Sequence, residues 1–132
     1  MAIVPAIFHF DTSPLQWEGW SDIPRIQEAA TMPFRSLQRN HDSHTDGVRL
    51  MQIALKLVGK LSFIGPDGKF HPFGPYNIAP GEFSANDSSG CWFGLTTETA
   101  VKRFQGSMQS TFDGKAGSDT LHGMDFILKL HY

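Results

Sequence analysis

The stretch that decides the fold is Phe93-Gly94-Leu95-Thr96-Thr97-Glu98-Thr99-Ala100-Val101-Lys102-Arg103-Phe104-Gln105, followed by Asp113-Gly114-Lys115-Ala116-Gly117-Ser118-Asp119-Thr120-Leu121. Each half carries a Gly with a Thr three residues later, Gly94 to Thr97 and Gly117 to Thr120. This spacing predicts two helix entries. The glycine stands at the N-cap, and the threonine hydroxyl, at the third helical position, is expected to reach back to the exposed N–H groups of the first turn. Beyond the first entry, Thr97, Ala100, Val101, Phe104 and Met108 share one apolar face, whereas Thr99, Lys102 and Gly106 point away. Beyond the second, Leu121, Met124, Ile127 and Leu128 point inward. Phe112-Asp113-Gly114 between them is a turn, with Asp accepting local N–H groups and Gly supplying a positive φ.

Working outward, Val48, Met51, Ala54, Leu55, Val58 and Leu61 recur at helical spacing. Leu50, Ile53 and Leu57 widen that face. A helix from Gly47 to about Leu61 follows, with Asp46 as its cap. Ser62 to Trp92 then forms a long connection rich in glycine, proline and aromatic residues, through which no helix persists. Asp67-Gly68 between apolar flanks suits a hairpin turn, and the aromatics of a connection this long imply packing.

These residues resemble the peptidoglycan-binding domain family found beside cell-wall hydrolases. Phe93-Gly94, Thr97, Ala100-Val101 and Phe104-Gln105 match the first half of its pattern. Asp113-Gly114, Gly117 and Thr120-Leu121 match the second. Gln52, Leu55 and Gly59 match its preceding helix. The resemblance runs from about Asp46 to Leu130 and departs from the family at the Ser62–Trp92 insertion, where an Asp-Gly before Phe-Gly is blurred into Asp87-Ser88-Ser89-Gly90-Cys91-Trp92. It implies a mainly α protein: a three-helix bundle over residues 46–132, with an N-terminal extension over residues 1–45 and an inserted loop over residues 62–92. It also implies non-catalytic binding of bacterial peptidoglycan, targeting an associated lytic, secretion or phage machine to the wall. Tyr76, Trp92, Lys102, Arg103, Phe112 and Lys115 are the expected ligand contacts. Aromatic faces and cations suit sugar rings, amides and carboxylates. Phe93, Val101 and Phe104 are expected in the core.

Composition narrows the alternatives. The chain has 132 residues, 40% hydrophobic, with 11 Phe and 3 Trp, which is enough for a packed core. Its net charge of −2 offers no electrostatic footprint for nucleic acid or an anionic membrane surface, and no stretch reaches membrane-span length. The single cysteine, Cys91, excludes an intrachain disulfide and reads as a structural thiol. The first residues lack the basic segment of a signal peptide. The expected site of action is the periplasm, the wall, or a virion or secretion particle.

Residues 1–45 are read more coarsely. Ala6–Phe10 suits a short strand, Leu15–Trp20 a turn. Asp22 suits the cap of a helix through Ala30, with Pro24 in its first turn and Pro33 closing it. Phe8, Phe10, Trp17 and Trp20 either complete the core or meet a catalytic or particle protein. His41-Asp42-Ser43-His44-Thr45-Asp46 reads as a polar connection; zinc is its alternative use, with His71 as a third ligand. No cofactor or metal is expected. Glu18, Glu82 and Glu98 are scattered and make no paired-carboxylate site, and no serine lies in a nucleophile elbow. A structural adaptor in a phage tail or contractile secretion apparatus is the second functional reading, and a small zinc-dependent amidase or peptidase the third.

Overall fold

Helix α2, Thr45–Val58, lies at the centre of the structure. The computed structural model describes residues 24–32, 34–40, 45–84, 87–108 and 112–131. The strand and turn expected within residues 6–20, the Asp22 cap, Pro33 and His41–His44 lie outside that set. Among the described residues the protein is mainly helical. Helix α1 spans Pro24–Thr31, α3 Leu95–Ser107 and α4 Ser118–His131. Strands β1, Ser62–Ile64, and β2, Phe70–Pro72, form an antiparallel pair, and Ser88–Gly90 is a short 3₁₀ turn.

Two-sided contact explains why α2 is so apolar. Val48, Leu50, Met51, Ala54, Leu55 and Val58 are all buried, and the helix packs against α1, α3 and α4. A helix that must satisfy several neighbours needs an apolar surface wider than a single stripe. Asp46 is not the cap but lies inside the first turn, where its carboxylate accepts the Gly47 N–H at 2.8 Å and faces the positive end of the helix dipole. The far end stops at Val58 rather than Leu61, because the last turn tightens. Lys60 and Leu61 donate to Leu57 and Val58, three residues back, at 3.2 and 2.9 Å.

The sequence places the helix expected through Ala30 in an extension outside a three-helix bundle; as α1 it packs into the same core. Ile26, Ala29 and Ala30 are no more than 1% exposed and join the cluster that contains Leu55, Phe104 and Leu121. Leu37, fully buried, exchanges two backbone hydrogen bonds with Ala116, at 3.0 and 2.8 Å, tying the chain after α1 to the loop before α4. Arg25 donates to the carbonyls of Arg35 and Ser36.

The 62–92 stretch is more ordered than a loop. The Asp67-Gly68 turn closes a hairpin in register Ile64 to Phe70, with Gly68 at φ +76°. Phe63 stacks on Phe73, which in turn contacts Phe104 of α3, with centroids 4.9 and 5.9 Å apart. The connection is thereby packed into the core. Its return path crosses the end of α2 at Gly74 and Gly59. A Cβ at Gly74 would lie 2.8 Å from the Gly59 backbone, so this crossing requires two glycines. No helix among the described residues is long and apolar enough to cross a membrane.

Candidate functional site

Helix α3 is positioned from its first residue. Gly94 is its N-cap, extended at φ −104° and ψ −163°, with no side chain to bond the first turn. Glu82, which comes from the 62–92 connection, takes that role. Its Oε1 accepts the N–H of Gly94 at 3.0 Å and of Thr97 at 2.8 Å, and its Oε2 accepts the N–H of Thr96 at 2.9 Å and the Thr96 hydroxyl. Glu82 is only 6% exposed. Burial pushes its carboxyl up, but the bonds from Thr96 and Thr97 together outweigh that and hold it below the usual range. A Cβ at Gly94 would come within 2.6 Å of the Glu82 carboxyl carbon, so only glycine leaves room for this arrangement.

The two threonines do not cap their own helices. Thr97 Oγ1 accepts from Gln52 Nε2 at 2.9 Å, and Thr120 Oγ1 accepts from Gln105 Nε2 at 3.0 Å. Each glutamine sits on one helix and holds the entry to the next. Gln52 Nε2 also meets the carbonyls of Glu82 and Trp92, while Gln105 Nε2 meets Asp113 Oδ1 and the Lys115 carbonyl. Gln105 Oε1 accepts the Gly114 N–H at 2.9 Å. All four side chains are buried. The repeat visible in the sequence as Gly-x-x-Thr is therefore a repeat of three parts, glutamine, glycine and threonine.

With its inner face packed, α3 presents Leu95, Thr99, Lys102, Arg103 and Gly106 at spacings of three and four on the outside. On one side the connection forms a wall. Arg103 donates to the Pro75 carbonyl at 2.9 Å and stacks its guanidinium 5.2 Å from the Tyr76 ring centre. Tyr76 itself is 5% exposed, so it supports Arg103 from below and is not an open platform. Burial pushes the Tyr76 phenol up, opposed by the Arg103 charge. A cavity of about 250 Å³ lies here, lined by Asn77, Leu95, Thr96, Thr99, Ala100 and Arg103. Further along the same outer face, Phe112 lies close to Gly106, and Lys102 borders Gly114. Trp92 is 45% exposed, its indole N–H fixed on the Gly81 carbonyl at 2.9 Å. Lys115 lines a different cavity of about 210 Å³ with Asp113, Ser118 and Asp119, one that shares no residue with the first. The expected contacts thus pair Tyr76 with Arg103, set Lys102 and Phe112 toward the turn that follows α3, and place Lys115 in a separate cavity.

The nearby carboxylates are already engaged. Glu82 caps α3, Glu98 lies 3.6 Å from Arg39, and Asp113 accepts from Gln105 and the Lys115 N–H. Among the described residues no three His, Cys, Asp or Glu side chains converge as a metal site. His71 contacts the Asp67 carboxylate at 2.9 Å within the hairpin turn. Buried Cys91 exchanges hydrogen bonds with the Ser84 backbone, giving the thiol a structural use.

Sequence reasoning missed Glu82, because its donors lie 12 to 15 residues away and no local pattern marks it. Gln52 and Gln105 did carry a signal: each precedes a Gly-x-x-Thr entry. Asn77, Leu95 and Thr99 had none, since only the folded connection makes their cavity.

Residues 83–124 match the family model of the peptidoglycan binding domain. The matched stretch begins one residue past Glu82 and takes in α3, the 112–117 turn and the first half of α4. Helix α2, with Gln52 and Leu55, and Gly59 just beyond it lie outside that stretch, so the match is narrower than the resemblance drawn from the sequence. Neither a curated protein nor a solved structure matches the chain.

Proposed function

We propose that this protein binds bacterial peptidoglycan without transforming it, and so holds a lytic, secretion or phage machine at the cell wall. The observation that carries this reading is the match of residues 83–124 to the peptidoglycan binding domain. The fold gives it a physical basis. The matched α3 is fixed at its entry by Glu82 and Gln52, and its outer face stays open. A rigid helix presenting Lys102, Arg103 and flanking aromatics loses little conformational entropy on binding. Trp92, Phe112 and Lys115 extend the contact beyond α3, where a polymer with repeating sugars and peptides would reach them. Sedimentation of the full chain with isolated sacculi tests the proposal. Wild-type protein is expected in the pellet, and protein left entirely in the supernatant would refute wall binding.

A further inference from the structure

Arg103 differs from Lys102, the other cation on α3, because the fold immobilises it. Its guanidinium lies over the Tyr76 ring at 5.2 Å and spends one N–H on the Pro75 carbonyl at 2.9 Å. An arginine has five N–H donors in a planar fork. No carboxylate among the described residues pairs with this one. Arg103 lines the 250 Å³ cavity together with apolar Leu95 and Ala100 and polar Asn77, Thr96 and Thr99. Leu95 is 59% exposed, a large apolar residue left open beside a fixed cation.

Size and chemistry together limit the occupant. The volume falls short of the usual range for sites that bury a drug-sized ligand, so a sugar strand does not fit inside. The end of a peptide does. A terminal carboxylate suits the guanidinium in two-point geometry. Short side chains suit Leu95 and Ala100, and the last peptide group meets Asn77 and Thr99. We infer that the cavity between α3 and residues 75–79 captures the free carboxylate end of a short-side-chain peptide, which on the wall is the end of an uncrosslinked stem peptide. This rests on the wall-binding reading and sharpens it: the protein would prefer wall whose peptides still carry free ends.

The test uses the full chain and the probe N,N′-diacetyl-L-lysyl-D-alanyl-D-alanine, compared with its C-terminal amide by NMR titration. The acid is expected to shift the Asn77, Leu95 and Thr99 amides and to bind about tenfold or more tightly than the amide, as loss of a charge-assisted bidentate pair requires. Arg103→Lys keeps the charge but loses the fork and should weaken binding. Thr99→Glu, on an exposed position, should repel the acid without disturbing the core. Each variant is checked by its far-ultraviolet spectrum. Equal binding of acid and amide, or shifts confined to other surfaces, would overturn the inference. Sacculus sedimentation run in parallel separates the two proposals. Wall binding without acid binding removes the inference alone, acid binding without wall binding removes the wall reading and with it the preference for wall with free ends, leaving only capture of a peptide carboxylate, and failure of both removes both.

Discussion

At the scale of single residues, Glu82 makes four hydrogen bonds to the entry of α3 from one nearly buried carboxylate. One carboxylate satisfies three N–H groups that a helix ordinarily leaves without partners, and it sits at the positive end of the α3 dipole. Glu82→Gln replaces one acceptor oxygen by a donor facing N–H groups and removes the charge. It is expected to cost about 2 kcal/mol at pH 7, measured by urea unfolding. The sign of the pH dependence follows from the lowered carboxyl. The unfolded chain holds the glutamate at about 4.3, and the folded chain holds it lower. The Glu82 contribution is therefore complete above the unfolded value and drains away as pH falls through the folded one. The stability gap between wild type and Glu82→Gln should narrow between pH 6 and pH 3. A gap that stays constant would mean that the charge contributes nothing and that shape alone matters.

Between elements, the contacts that count are the ones that fix each helix on the next. Gln105→Ala leaves the Lys115 carbonyl, the Thr120 hydroxyl and the Gly114 N–H without their buried partner. A loss of about 1–3 kcal/mol is expected, with faster amide exchange over residues 113–117, while α2 keeps its protection. Gly74→Ala acts at the other junction. Its methyl group would meet the Gly59 backbone at 2.8 Å, and backbone on both sides leaves little room to give. The variant should lower the urea midpoint and loosen the 75–79 wall, which NMR of Asn77 and Ile78 would register. The same junctions mark the limit of what sequence shows. Helices α2, α3 and α4 were legible because their apolar residues recur at 3.6-residue spacing, and the glycine entries were legible because glycine is needed there. The Asp67-Gly68 turn was legible for the same reason. Glu82, the direction of the two threonine hydroxyls and the Arg103–Tyr76 stack were not, since each depends on a partner brought from a distant stretch by packing. Of the candidate contacts, Lys102 and Arg103 lie on the outer face of α3, whereas Tyr76 is buried beneath Arg103, a burial that no periodicity marks because a later crossing of the chain creates it.

For the whole molecule, the question is whether α1 is an appendage or a member of the cooperative unit. The sequence pattern of the resembled family starts only after it, and the 83–124 match omits it. Its apolar residues argue otherwise. Ile26 is fully buried, and α1 packs on both α2 and α4, the first and last helices of the presumed bundle. The Leu37–Ala116 bridge then carries the chain from α1 to the entry of α4, beside the Gln105–Thr120 contact. If α1 were docked loosely, Ile26→Ala would raise exchange in α1 alone and leave the global unfolding midpoint in place. If it belongs to one core, the cavity left by the lost side-chain carbons should cost about 2–5 kcal/mol of the global stability. Exchange should then rise together in α1, α2 and α4, in a single transition seen by fluorescence and circular dichroism alike. The second outcome is expected, because Ile26 shares one buried cluster with Leu55 and Leu121. On the proposed wall-binding reading, the α3 surface then rests on α1, α2 and α4 together, and loss of Ile26 would weaken sacculus binding only to the extent that it unfolds the protein. Measuring both at several temperatures tests that equivalence: binding and folded fraction should fall along one curve.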